Sequence, residues 1–94
     1  MSGEEILEIV KLELGVDPGE VGTKAWALND AKKIAAMLMT REGIKKKEQA
    51  GLLKRHRTGM YNLVNQGEDL LSSNRKFQLK YLACLKRWHE RGKQ

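Results

Sequence analysis

Apolar residues in this chain recur at steps of three and four, segment after segment, and never in strict alternation. Phe77, Tyr81, Cys84, Leu85 and Trp88 follow one another at steps of four, three, one and three, which places them on one face of a helix. Ile6, Ile9, Val10 and Leu14 keep the same period. No segment shows the period-2 pattern with β-branched enrichment that a strand requires. The fold class that follows is all-α, with five main helices and one short helical segment.

Punctuation along the chain sets the boundaries. Ser2-Gly-Glu-Glu5 reads as a capping box ahead of the first helix, and Gly15 as its left-handed stop. Asp17-Pro18 is a second start signal, followed by Gly19 and Gly22, so one or two helical turns are expected there. Residues 25–42 hold the longest helical pattern, with a stripe of Trp26, Ala31, Ile34, Ala35, Ala36, Met37 and Leu38 running uninterrupted to Gly43. Residues 46–53 make a short helix. Lys54-Arg55-His56-Arg57 contains no apolar residue and must face water or a partner. Thr58 is placed to cap the next helix, which carries Met60, Tyr61, Leu63, Val64, Leu70 and Leu71. Ser72-Ser73-Asn74 breaks it and caps the last, which Gly92 ends. Trp26 and Trp88 are expected to pack, and Tyr61 to contact either core or partner. Arg75 and Lys76 read as a surface pair.

Ninety-four residues make a single domain. No apolar run approaches the roughly 20 residues of a membrane span, and the acidic, polar opening is unlike a signal peptide. One cysteine and two histidines cannot build a disulfide or a structural zinc site. A reduced, cytoplasmic setting is expected. The glycine-rich stretch from Gly15 to Lys24 lacks the order and spacing of a phosphate loop, so no nucleotide is implied. Cys84 and His89 are five apart and point to different faces of one helix, and no carboxylate pair sits among apolar neighbours. Neither an enzyme nor a cofactor is expected.

Charge is more informative. The formal net charge of +6 conceals a split. Residues 1–23 hold one basic and six acidic residues, and residues 24–94 hold seventeen and six. From Arg41 to Arg57 there are seven basic residues and two acidic ones. Such a field points to an anionic partner. It surrounds two helices joined by a tight polar turn, the layout of a helix-turn-helix at about residues 46–72. The second helix of that motif enters the DNA major groove. Arg55 and Arg57 can each donate two hydrogen bonds to guanine, and Thr58 can meet a thymine methyl. The small residues Ala50 and Gly51 would let a second helix cross closely.

In order, these features resemble a known family over residues 4 to about 88. Ile6 to Leu14 with Gly15-Val16 and Val21, Lys33-Ile34-Ala35-Ala36-Met37-Leu38, Gln49-Ala50-Gly51 with Leu53, and Arg55-His56-Arg57-Thr58-Gly59-Met60 are similar to the C-terminal DNA-binding domain of the bacterial replication initiator DnaA. The register continues without a gap through Leu70-Leu71 to Phe77. The resemblance implies a Trp-repressor-like helical bundle that reads double-stranded DNA. It makes Arg55, His56, Arg57 and Thr58 base-proximal, with Asn62 further along the helix. Lys24, Lys45, Lys46, Lys47, Lys54 and Asn65 are the expected phosphate contacts. His56 and Arg57 stand where the family has Asp and His, Gly59 where it has Thr, and Gly67 where it has an apolar residue. A target other than the family's standard box is therefore expected. Lys24-Ala-Trp-Ala-Leu28 occupies the stretch where the family usually places arginines, one of which enters the minor groove, so the alternative to packing for Trp26 is a sugar or backbone contact there.

The 94 residues contain no ATPase module, so the expectation is a freestanding bacterial or phage reader of DNA acting in replication or transcription. The alternative is a protein-interaction module, docking through the acidic first helix or through the aromatic face of Phe77, Tyr81 and Trp88. An RNA reader would need an exposed aromatic platform, which the helical pattern does not predict.

Overall fold

Five helices make up the computed structural model, which describes residues 1–21 and 26–92: α1 (Gly3–Leu14), α2 (Trp26–Arg41), α3 (Lys46–Leu53), α4 (Arg57–Ser73) and α5 (Arg75–Gly92). The architecture is all-α. No strand occurs among the described residues.

The helix boundaries follow local chemistry. The hydroxyl of Ser2 accepts from the Glu5 amide at 3.3 Å while the Glu5 carboxylate accepts from the Ser2 amide at 3.2 Å, so two otherwise orphaned donors are satisfied. Gly15, at φ 72°, ends α1 in the left-handed region, and Gly43, at φ 81°, does the same after α2. Asn74 closes α4 and opens α5, its side chain accepting from the Phe77 amide at 3.0 Å.

Two local expectations need correction. The segment at Asp17-Pro18 is a single turn rather than a helix. The Asp17 carboxylate accepts from the Gly19 amide at 2.8 Å and its carbonyl from the Glu20 amide at 3.1 Å, a local pairing that competes with helix propagation. Thr58 does not cap α4. The cap is His56, and Thr58 lies inside the first turn.

α2 is the central element and packs against the other four helices. Ala31, Ile34, Ala35, Ala36, Leu38 and Met39 are all fully buried, so it is covered around most of its circumference, as a core helix must be. Ile6, Ile9 and Val10 of α1, Leu53 of α3, Met60 and Leu63 of α4, and Phe77, Tyr81 and Cys84 of α5 complete the core. α2 and α4 cross closely at Gly67, where a β-carbon would stand 2.5 Å from Met37 Sδ. Gly51, expected to permit such a crossing, has open space where its β-carbon would be.

Trp26 is a further correction. It is 86% exposed, because the apolar stripe of α2 reaches the core only from Leu28 onward.

Candidate nucleic-acid interface

α3 and α4 are joined by Lys54, Arg55 and His56, a linker of helix-turn-helix length. Lys54 turns the chain at φ 56°, and the amides of both Lys54 and Arg55 donate to the Ala50 carbonyl. The left-handed step closes α3 in the way a glycine commonly does. The Leu53 carbonyl, left over at the end of α3, accepts from Lys32 Nζ, which also donates to the Pro18 carbonyl at 2.9 Å. Lys32 is only 1% exposed. A side chain of α2 thereby pins both the end of α3 and the turn after α1. Its ammonium is held below the ordinary lysine range, first by burial and next by the neighbouring Arg55 guanidinium.

The basic residues divide into tethered and untethered ones. Arg55 is half-buried and donates to Asn29 Oδ1 of α2 at 3.1 Å. Lys46 donates to Thr40 Oγ1 at 2.8 Å and stands 5.6 Å from the centre of the Tyr61 ring. That contact brings the start of α3 against the second turn of α4. Both tethers are neutral, and neither cation forms an ion pair among the described residues. Lys45, Lys47, Lys54, His56, Arg57 and Thr58 are exposed, as are Asn62 and Asn65 further along α4. Lys24 lies outside the described residues.

Capping differs sharply between helices. α1 has a full capping box and Glu4 and Glu5 in its first turn. α3 and α4 begin at Lys45 and His56 with no side-chain cap, and α4 has no acid in its first turn. The Gly59 amide is satisfied by the His56 carbonyl at 2.9 Å, while the Arg57 and Thr58 amides ahead of it point out of the helix end. Free amides, the positive end of the helix dipole and flanking cations all favour an anion at that place.

The acidic segment has a structural use. Glu13 pairs with Arg87 at 2.8 Å and Glu8 with Arg91 at 3.7 Å, tying α1 to α5, while Asp30 of α2 holds Lys80 at 3.1 Å. The aromatic face of α5 is turned inward. Phe77 and Tyr81 are buried and Trp88 is half-buried beneath the Arg41 guanidinium, 5.6 Å from its ring centre. That face is not a free docking surface. Cys84 is fully buried and its thiol is pushed up to about 12 by desolvation, as suits a packing residue.

Two aromatics are exposed: Trp26, expected to pack, and Tyr61, for which the sequence leaves core and partner both open. Trp26 at the start of α2 is 86% exposed and Tyr61 on α4 is 60% exposed. Sequence register would have flagged Lys32, which shares a helical face with Leu28, Ala35 and Met39. It could not reveal the partners Asn29 and Thr40, which come from another helix.

No family model, curated protein or solved structure matches the chain. Among the described residues no group of histidine, cysteine and acidic side chains is placed to hold a metal ion, and no helix is long and apolar enough to cross a membrane.

Proposed function

We propose that this chain is a sequence-specific double-stranded DNA-binding protein, a regulator of replication or transcription, that sets the first turns of α4 in the major groove. In this reading the scaffold is a Trp-repressor-like bundle akin to the C-terminal domain of DnaA. The observation that carries the proposal is the start of α4, an uncapped and acid-free helix end beside Lys54, Arg55 and Arg57, which form no ion pair among the described residues. Arg57, Thr58 and Asn62 read base edges from the exposed side of α4. Lys45, Lys47 and Lys54 neutralise phosphates on either side, and Asn65 joins them by hydrogen bonding. Arg55 and Lys46 are held in place by their neutral partners and serve from fixed positions. His56 lies at the mouth of the groove.

The test begins with duplexes selected by the protein from a random library. Arg57→Ala should weaken the selected duplex by about 1–3 kcal/mol and leave random duplex nearly unchanged. Lys47→Ala should weaken both alike. Equal loss on both duplexes for Arg57→Ala would remove the base-reading role, and failure to enrich any sequence would remove sequence specificity.

A further inference from the structure

We infer that the outward face of α5 is a contact between two copies of this chain, which pair their α5 helices antiparallel about a twofold axis beside Leu82 and Ala83. This face lies opposite the core. Phe77, Tyr81 and Cys84 are buried on one side of α5. On the other side Arg75, Leu79, Leu82, Lys86 and Glu90 follow at steps of four, three, four and four, and all are exposed. Those steps keep them on a single helical stripe. Leu79 is 54% exposed and Leu82 49%, so about half of each stands in water at the middle of the stripe. Ala83 beside them is small enough for a second helix to approach closely.

A lone exposed leucine needs no partner. Charge is what assigns one here. Arg75 and Lys76 are exposed in the first turn of α5 and Glu90 is exposed near its end. None of the three forms an ion pair among the described residues. Glu90 lies fourteen positions after Lys76, about 21 Å of helix, so these charges cannot meet within one chain. In an antiparallel pair centred on Leu82 and Ala83, each Glu90 comes opposite Arg75 and Lys76 of the other copy. A twofold contact makes every pairing twice, so opposite charges close both ends of the interface. The same alignment sets the two Leu82 side chains together and lays the stem of Lys86 along the other copy's Leu79, with its ammonium in water. A parallel pair would instead bring Arg75 and Lys76 onto the same residues of the other copy. An acidic partner helix would leave Glu90 facing like charge. One face of one helix buries less than the roughly 800 Å² per partner of a standard stable interface, so the pair is weak and forms as concentration rises.

The experiment follows the full chain, without DNA and at moderate salt, by sedimentation equilibrium from about 10 μM to about 1 mM. The average mass should climb from the 10.7 kDa of one chain toward that of two. Leu82→Glu should raise the dissociation constant by about tenfold or more, with an unchanged melting curve in dilute solution because the side chain is half in water. Glu90→Lys should also raise it by about tenfold, since like charges then face each other at both ends. Adding Arg75→Glu and Lys76→Glu to Glu90→Lys should bring the natural value back. A mass fixed at one chain throughout overturns the inference and leaves the face to another partner. A rise that Leu82→Glu does not reduce overturns it too, because the contact then lies on another face. Failure of the triple exchange to recover pairing overturns the antiparallel alignment and with it the inference. No DNA is present, so each of these outcomes leaves the DNA-binding reading as it stood.

Discussion

Lys32 brings a charge into the interior and meets two main-chain carbonyls there, those of Pro18 and Leu53. Burial of an ammonium is costly, and here it is offset by hydrogen bonds that no other described group supplies to those carbonyls. Lys32→Met should therefore destabilise the fold by about 1–3 kcal/mol through the unsatisfied carbonyls, even though it removes the buried charge. The pH dependence has a definite sign. The folded-state pKa lies below the ordinary 10.5, so between the two values the unfolded chain binds more protons. Stability from this group then rises as pH climbs from the folded value toward 10.5. The neutral amine still has two N–H donors, enough for both carbonyls. Cys84 acts oppositely, because its folded thiol is raised from 9.0 to about 12, and stability falls as the unfolded thiol ionises. Both proteins retain Cys84, so comparing them cancels its effect. Urea unfolding at pH 7 and pH 9.5 should show the gap between natural protein and Lys32→Met widening at the higher pH. A constant gap would mean that Lys32 titrates at the same pH folded and unfolded.

At the scale of elements, two glycines separate propensity from packing. Gly51 lies within α3 with nothing within 4 Å of its β-carbon position, whereas that of Gly67 in α4 meets Met37 Sδ at 2.5 Å and Cγ at 3.2 Å. Gly51→Ala should stabilise by about 0.5–1 kcal/mol, the ordinary helix preference for alanine. Gly67→Ala gains the same preference but forces α2 and α4 apart or Met37 out of its rotamer, at a cost of about 1–3 kcal/mol. Its denaturation midpoint should fall while that of Gly51→Ala rises. A rise in both would show that Met37 yields freely. The pair also marks how far the sequence could be read. Capping at Ser2, the stops at Gly15 and Gly43, and the limits of α3 depend on residues within one turn of each other, and they were legible. The crossing at Gly67 depends on Met37, thirty positions away in the chain, whereas local pattern pointed to the small pair Ala50 and Gly51, of which Ala50 is buried and Gly51 faces open space. At Asp17 two local programmes competed, and a side-chain bond to Gly19 prevailed over a helix start. The candidate site was legible as a concentration of charge and a polar turn. Which cations are tethered was not, since Arg55 finds Asn29 and Lys46 finds Thr40 only after α2 has packed.

Across the whole molecule, two groups of cations differ in whether an acid holds them. On α5, Lys80, Arg87 and Arg91 face Asp30, Glu13 and Glu8 from α2 and α1. Such half-exposed pairs add little stability, roughly 0.2–1 kcal/mol each, but they neutralise the surface on which they lie. Around the starts of α3 and α4, Lys45, Lys47, Lys54 and Arg57 have no acidic partner among the described residues, and Arg55 and Lys46 hold only neutral ones. Acid-base pairing thus occupies three cations of α5 and none around the starts of α3 and α4, although Arg75, Lys76 and Lys86 of α5 also lack an acidic partner among the described residues. The salt dependence of DNA binding measures that difference. With Arg57 reading bases, about five cations remain for phosphates, and log affinity should fall against log salt with a slope of about −4.5. Lys47→Ala should reduce the slope by about 0.9, one released counterion. Arg87→Ala removes the same formal charge from the molecule and should leave the slope unchanged, because Glu13 already occupies that guanidinium. If Arg87→Ala and Lys47→Ala flatten the slope equally, DNA responds to total charge alone, and the division of cations between α5 and the α3–α4 face has no functional consequence.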